Sequence, residues 1–347
     1  DVFSLGCLAY LIFGGQAPAS STLEMLGKLR TGQGLRLSDV MNGCGTRLQD
    51  LVQFATNPEV LTRYGSIRDF LKDLEGVEDE LTAPDRESTV DPGIARKDDR
   101  IEGGFTVIRR MGRGSSSDAL LVREDGTEDE FVLKVAIDSA HNESVSAEGD
   151  VLLKLRHPNI VECSRKLTVE GRSALLLKSA GDTTLAQKLK QDGRLSLDML
   201  QRFGEELLEA VRHIEENAVT HRDIKPDNIG IAEARSRRLK LVLFDFSLSR
   251  TPPENLSAGT PPYLDPFLQQ RSHKRWDLYA ERFAVTVTLY EMAIGKTPRW
   301  GDGLTAPAVL DCEASIDSDV FDPAIREPMT HFFAKALSRH IRERHDN

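Results

Sequence analysis

Eight consecutive residues, His221-Arg222-Asp223-Ile224-Lys225-Pro226-Asp227-Asn228, gather two carboxylates, two cations and a carboxamide at close spacing. A hydroxyl attacking the γ-phosphate of ATP needs a carboxylate to orient it and take its proton, and Asp223 is the candidate. Lys225 would face the phosphate. The amide oxygen of Asn228, five residues after Asp223, would hold a Mg²⁺ that neutralises phosphate charge. A polar loop that merely caps a helix is the blander reading, but a string this long seldom matches by accident.

Such a loop needs partners, and the chain supplies them in a workable order. Phe105 to Met111 alternates as a strand, and Gly112-Arg113-Gly114-Ser115-Ser116-Ser117 reads as a turn into a second strand. Gly112 and Gly114 let the backbone bend over a triphosphate, while Ser117 takes a third place where glycine is usual. Taken alone, a Gly-Ser hairpin without a ligand is commoner. Further on, Phe131-Val132-Leu133-Lys134-Val135-Ala136 sets a lysine inside an apolar strand, where an unpaired ammonium would be costly. Glu148, in a helical segment expected over 146–155, is its candidate partner; the alternative is a lysine snorkelling from an edge strand beside a solvated glutamate. Leu239 to Phe244 reads as a buried strand that delivers Asp245 as a second metal ligand.

This order of glycine-rich turn, Lys134, Glu148, Asp223, Asn228, Asp245 and Gly259-Thr260-Pro261-Pro262-Tyr263 resembles the eukaryotic-like (Hanks-type) serine/threonine protein kinases. The resemblance implies an α+β, bilobal fold, with a small antiparallel β lobe and a large helical lobe. It also implies ATP and Mg²⁺ as cofactors and a protein serine or threonine as acceptor. Asp223 would orient the hydroxyl, Lys225 and Lys134 would stabilise phosphate charge, Glu148 would hold Lys134, and Asn228 and Asp245 would bind metal. Ala119 and Ala136 would flank the adenine, and the backbone from Lys178 to Ala180 would hydrogen-bond its edge. Arg222 beside the base would attract a phosphate on the activation segment, with Ser249, Thr251, Ser257 and Thr260 as candidate sites. Three positions depart from the family pattern. Ser247 replaces the glycine after Asp245-Phe246, Phe267 replaces a glutamate that pairs with a later arginine, and Glu281 replaces an aspartate that braces the catalytic loop.

The chain also repeats itself. Residues 1–18 align without a gap to residues 281–298, with Tyr10 against Tyr290, Gly15 against Gly295 and Pro18 against Pro298. Residues 1–76 are therefore expected to be the helical C-terminal part of a first, truncated kinase-like domain. Residues 77–104 read as an acidic linker, and 105–347 as a kinase domain cut short at its C-terminus, with Arg344 equivalent to Arg63. Tandem units with this wording, including Leu243-Phe244-Asp245-Phe246-Ser247-Leu248 and Tyr263-Leu264-Asp265-Pro266-Phe267, resemble the PglW-type kinases of bacterial BREX phage-defence systems. That resemblance implies a cytoplasmic kinase working with other BREX-type defence proteins.

Composition sets the outer limits. The 347 residues are 39% hydrophobic and 29% charged, enough for one two-lobed domain and an extra lobe. A net charge of −10 argues against direct nucleic-acid binding by this portion, and the basic run 235–240 reads as a solvated hairpin. Four scattered cysteines suit a reducing compartment. No apolar run approaches the roughly 20 residues that span a bilayer, so no membrane association is expected. Residues 105–178 read as sheet with one helix, and the remainder as mostly helical. Leu200, Phe203, Leu207, Val211 and Ile214 mark an amphipathic helix that leads into the catalytic loop. Two rivals remain at this point, a nucleotide-binding pseudokinase scaffold and a small-molecule phosphotransferase of similar fold.

Overall fold

A computed structural model describes residues 1–41, 44–82, 89–234 and 237–346. The chain divides into two compact units, Asp1–Ser88 and Thr89–Asn347.

The first unit is helical: α1 (Val2–Gly14), α2 (Thr22–Gly32), α3 (Thr46–Ala55) and α4 (Ile67–Thr82). Its core holds Tyr10, Leu37, Leu48, Leu51, Val52 and Phe70. Helix α1 stops at Gly15, which adopts a left-handed φ of 67° and returns its N–H to the Leu11 carbonyl, a conformation open to glycine at little cost. Arg63 donates Nε–H to the Asn57 carbonyl and stacks 4.9 Å from the Phe3 ring.

The second unit opens with β1 (Arg100–Ile101), β2 (Phe105–Arg113), β3 (Ser117–Glu124) and β4 (Glu130–Ala136). Helix α5 (Asn142–Leu152) follows, then β5 (Cys163–Val169) and β6 (Arg172–Lys178). These strands form one antiparallel sheet in the order β1-β2-β3-β4-β6-β5, the small lobe. Helix α5 begins and ends earlier than the expected 146–155. Beyond Leu152 the chain tightens into three-residue turns, with Lys154 N–H on Val151 O and Leu155 N–H on Leu152 O.

The large lobe contains β7 (Thr183–Thr184), α6 (Leu185–Asp192), α7 (Leu197–Glu216), β8 (Ile229–Glu233), β9 (Leu239–Leu243), α8 (Leu278–Ile294) and α9 (Arg326–Ala336). Helix α7 is the expected amphipathic helix, burying Phe203, Leu207, Val211 and Ile214. Helix α8 is buried almost all round. It ends as α1 does, at a left-handed glycine, Gly295 with φ 85° and its N–H on Glu291 O. Arg344 likewise repeats Arg63, donating Nε–H to the Ser338 carbonyl at 2.7 Å and lying 5.0 Å from the Phe283 ring. The sequence repeat thus reappears as the same local geometry.

Much of the expected linker 77–104 is built into structure. Helix α4 runs on to Thr82, and from Thr89 the chain folds onto the small lobe, where Ala95 is buried among Val107, Leu120 and Val135. Charge and prolines predicted solvation, but the small-lobe core takes up the apolar Ala95 in their midst. Residues 83–88 of that stretch, and 235 and 236 of the basic run, lie outside the described residues.

Candidate active site

Between the lobes of the second unit lies a cavity of about 610 Å³. Strand pairing decides what faces it. In antiparallel pairing, residues directly opposite project to the same face; Ala119 opposes Lys134, and Val132 opposes Leu177. Gly112, Gly114, Ser117, Ala119, Lys134 and Glu148 all wall the cavity, as do Lys178, Ala180, Asn228 and Asp245.

Ala136 does not. It is fully buried within the hydrophobic core, and Val132 stands in the cavity wall in its place. Both residues sit two positions from Lys134 and share its face by the strand's period of two. Periodicity alone could not say on which side of the lysine the cleft opens.

Lys134 is the electrostatic centre of this wall. Its Nζ lies 2.8 and 2.7 Å from the two Glu148 oxygens and 2.8 Å from Asp245 Oδ1. Burial alone would lower the lysine pKa, but the Glu148 and Asp245 carboxylates outweigh it and the ammonium is favoured. Burial likewise pushes Asp245 up, yet Lys134 prevails and holds its carboxyl at about 2. Glu148 reaches the lysine because α5 presses close on β6. A Cβ at Gly149 would come within 2.5 Å of Leu175 Cδ2, so glycine permits the approach. The same Glu148 accepts the Phe246 N–H at 3.1 Å, and the fully buried Phe246 ring lies 4.5 Å from that of His221.

The two proposed metal ligands are brought together by one hairpin. Ile229 at the start of β8 pairs with Leu243 at the end of β9, so the flanking Asn228 and Asp245 are forced into proximity. Phe244 N–H bonds to Asn228 O at 2.9 Å. Asn228 donates Nδ2–H to Asp223 O at 2.8 Å and to its Oδ2 at 3.0 Å, which leaves the amide oxygen as its acceptor end. Among the described residues no cluster of three His, Cys, Asp or Glu forms a self-sufficient metal site. This donor set fits a hard cation completed by phosphate oxygens and water, as Mg²⁺ prefers.

Asp223 and Lys225 adjoin the cavity through Asn228. Asp223 Oδ2 lies 2.7 Å from Lys225 Nζ, and Oδ1 accepts the Thr260 hydroxyl at 2.8 Å. Lys225 also donates to Thr260 Oγ1 at 2.6 Å. Carboxylate, ammonium and hydroxyl thus form a closed triangle.

Glu281 braces this loop despite its extra methylene. One oxygen accepts His221 N–H at 2.6 Å, both accept Arg222 N–H at 3.2 Å, and the Trp276 indole donates at 3.0 Å. Burial raises its pKa, against the opposing pull of His221 and those N–H groups. Trp276 had no motif to reveal it, being a tryptophan in a loop before α8. The end of the activation segment is anchored by a shifted ion pair. Asp265, two residues before Phe267, is buried and bonds Arg344 Nη1 at 2.7 Å, with Arg271 on the same carboxylate. The salt bridge that Phe267 could not supply is therefore retained.

Arg222, expected to attract a phosphate on the activation segment, is engaged here by that segment's own backbone. Its guanidinium donates to the carbonyls of Thr251 at 2.6 Å, Pro252 at 3.0 Å and Asn255 at 2.6 Å, and stacks 4.8 Å from the Trp276 ring.

Residues 105–345 match the protein kinase domain family. This chain belongs to the protein kinases. Over 98% of its length the kinase is 38% identical to "Probable kinase PglW" of Streptomyces coelicolor, covering 24% of that protein. It is 30% identical over 57% of its length to the serine/threonine-protein kinase AtPK2/AtPK19 of Arabidopsis thaliana, 42% of which is covered. A probable serine/threonine-protein kinase PknB of Lactococcus lactis is 24% identical over 70% of the chain and is covered to 40%. The kinase thus spans a quarter to less than half of these relatives. Among its described residues no helix is long and apolar enough to cross a membrane.

Proposed function

We propose that this kinase transfers the γ-phosphate of Mg-ATP to a serine or threonine hydroxyl of a protein. The observation that carries this reading is the convergence of Lys134 on both Glu148 and Asp245, beside the Asp223–Lys225–Thr260 triangle. Asp223 orients the acceptor hydroxyl and receives its proton, and Lys225 meets the negative charge that develops on the transferred phosphoryl group. Lys134, held by Glu148, addresses the α- and β-phosphates. Asn228 and Asp245 would hold Mg²⁺, which supplies charge neutralisation across the phosphates.

The full set of polar residues speaks against a pseudokinase scaffold. Lys225 bonded to Thr260 favours a protein acceptor over a metabolite. Replacing Asp223 with alanine is expected to cut phosphate transfer to protein by about 10³-fold or more with nucleotide affinity within a few-fold. Unchanged transfer of radiolabelled phosphate by that variant would refute the assignment.

The wider setting proposed is a bacterial cytoplasmic phage-defence system of BREX type, with other defence proteins as partners. Identity to the Streptomyces protein across both units supports it. The first unit is read as the helical C-terminal part of a first, truncated kinase-like domain, supported by the matched Arg63 and Arg344 contacts. Comparing phosphoproteins in cells that carry the parent or the Asp223→Ala kinase during phage challenge tests the setting; defence unaffected by the substitution would remove it.

A further inference from the structure

Asp118 is a carboxylate in an unexpected place. It lies between Ser117 and Ala119, which wall the cavity, so the alternation of β3 directs it to the opposite, outer face of the glycine-rich hairpin. A charge on that face would ordinarily be solvated. Here it is 1% exposed.

What covers it is the segment that precedes β1. Arg110 bridges the two, donating Nη1–H to Asp118 Oδ1 at 2.6 Å and Nη2–H to the Pro92 carbonyl at 2.6 Å. Asp118 Oδ2 makes no hydrogen bond but lies 3.2 Å from Arg113 Nη2. The far side of the segment is tied down too. Arg172 holds Asp91 Oδ2 at 2.7 Å and the Ile137 carbonyl at 3.0 Å, while Asp91 Oδ1 accepts Gly93 N–H at 2.6 Å. Ala95 is buried in the sheet core, and Val90 N–H bonds Arg100 O at 2.8 Å.

We propose that Thr89–Ala95 is a strap over the outer face of the glycine-rich hairpin, and that Asp118, through Arg110, is a positioning residue for the nucleotide phosphates. The proposal rests on the reading of the cavity as a nucleotide site. The physical need is plain. Gly112 and Gly114 make the hairpin tip soft, and its closing bond, Gly114 N–H to Ser117 O at 2.8 Å, adjoins Asp118 directly. A tip that presents N–H groups to phosphate binds well only if its strands are held in place beforehand. A buried carboxylate shared between two arginines, one fastened to the strap, supplies that hold from the side away from the ligand. Because the brace acts on ground-state binding, losing it should weaken nucleotide affinity and spare turnover at saturation.

The experiment measures affinity for a fluorescent ATP analogue by direct titration, alongside the KM for ATP and kcat. Asp118→Asn is expected to weaken both affinity and KM about tenfold with kcat within about twofold. Asp91→Ala, at the half-exposed end of the strap, leaves the Asp118–Arg110 pair intact and settles the matter should the first variant fold poorly; about threefold weaker affinity is expected. Unaltered affinity in Asp91→Ala, or a fall in kcat with unaltered affinity in Asp118→Asn, overturns the proposal. Nucleotide binding that weakens as described in a protein unable to phosphorylate any serine or threonine would leave the strap standing and remove the protein-kinase function.

Discussion

Arg344 and Asp265, seventy-nine residues apart in the chain, form a buried ion pair with Nη1–Oδ2 at 2.7 Å and Nη2–Oδ1 at 3.3 Å. The pair joins the end of the activation segment to the turn that follows α9, and Arg271 shares the carboxylate. The glutamate usual in this family at position 267 is replaced by Phe267, and the acidic partner has moved two residues toward the N-terminus. Phe267 instead packs in the core, with its ring 6.2 Å from Trp300.

Removing Asp265 should therefore be costly, because it strands Arg344 as a buried cation and leaves Arg271 only its contact with Asp277. Asp265→Ala is expected to lower unfolding free energy by about 3–5 kcal/mol. Urea denaturation checks it, and a loss below about 1 kcal/mol would show the pair to be a bystander.

The occupancy of Arg222 leads to a prediction about regulation. Its bonds to the carbonyls of Thr251, Pro252 and Asn255 tie the activation segment to the loop that carries Asp223. Phosphatase-treated kinase, or a variant with Ser249, Thr251 and Ser257 all replaced by alanine, should keep turnover within about threefold of the untreated parent. Thr260 is left in place because it bonds Asp223 and Lys225. A loss of activity restored by rephosphorylation would contradict the prediction.

The Lys134–Asp245 contact predicts a pH effect. Asp245 is held at about 2, so the stability its charge provides, and the Mg²⁺ affinity proposed for it, are fully present above the ordinary carboxylate range. They disappear only as pH falls through that depressed value. Replacing Lys134 with methionine removes the dominant opposing charge and leaves burial to raise the carboxyl against only Ser247 and His221. Mg²⁺-dependent nucleotide binding by Lys134→Met should then fade at a higher pH than in the parent, as read by titrating a fluorescent nucleotide from pH 7 downward. Identical pH midpoints for the two proteins would show that the lysine does not set the charge of Asp245.

The parts legible in the sequence share one property: each is a residue type demanded by chemistry at a short, fixed spacing. Asp223, Lys225 and Asn228 fall within six positions, Lys134 interrupts one apolar strand and Asp245 follows another. The repeat of residues 1–18 at 281–298 was legible for the same reason, since the glycine after each helix must adopt a left-handed turn. Local constraint writes itself into local pattern.

Other features were decided only when distant segments met. Val132 rather than Ala136 walls the cavity because the sheet's packing chose one side of Lys134 for the cleft. Asp265 found Arg344, Trp276 came to lie beneath Arg222 and against Glu281, and the residues before β1 covered Asp118. In each case a buried charge or polar group took whichever partner the folded chain brought within hydrogen-bonding distance. The sequence by itself determined which groups could perform phosphoryl transfer, because that chemistry tolerates few substitutes. The tertiary structure alone decided what braces them, since any donor or acceptor of suitable geometry satisfies a buried charge.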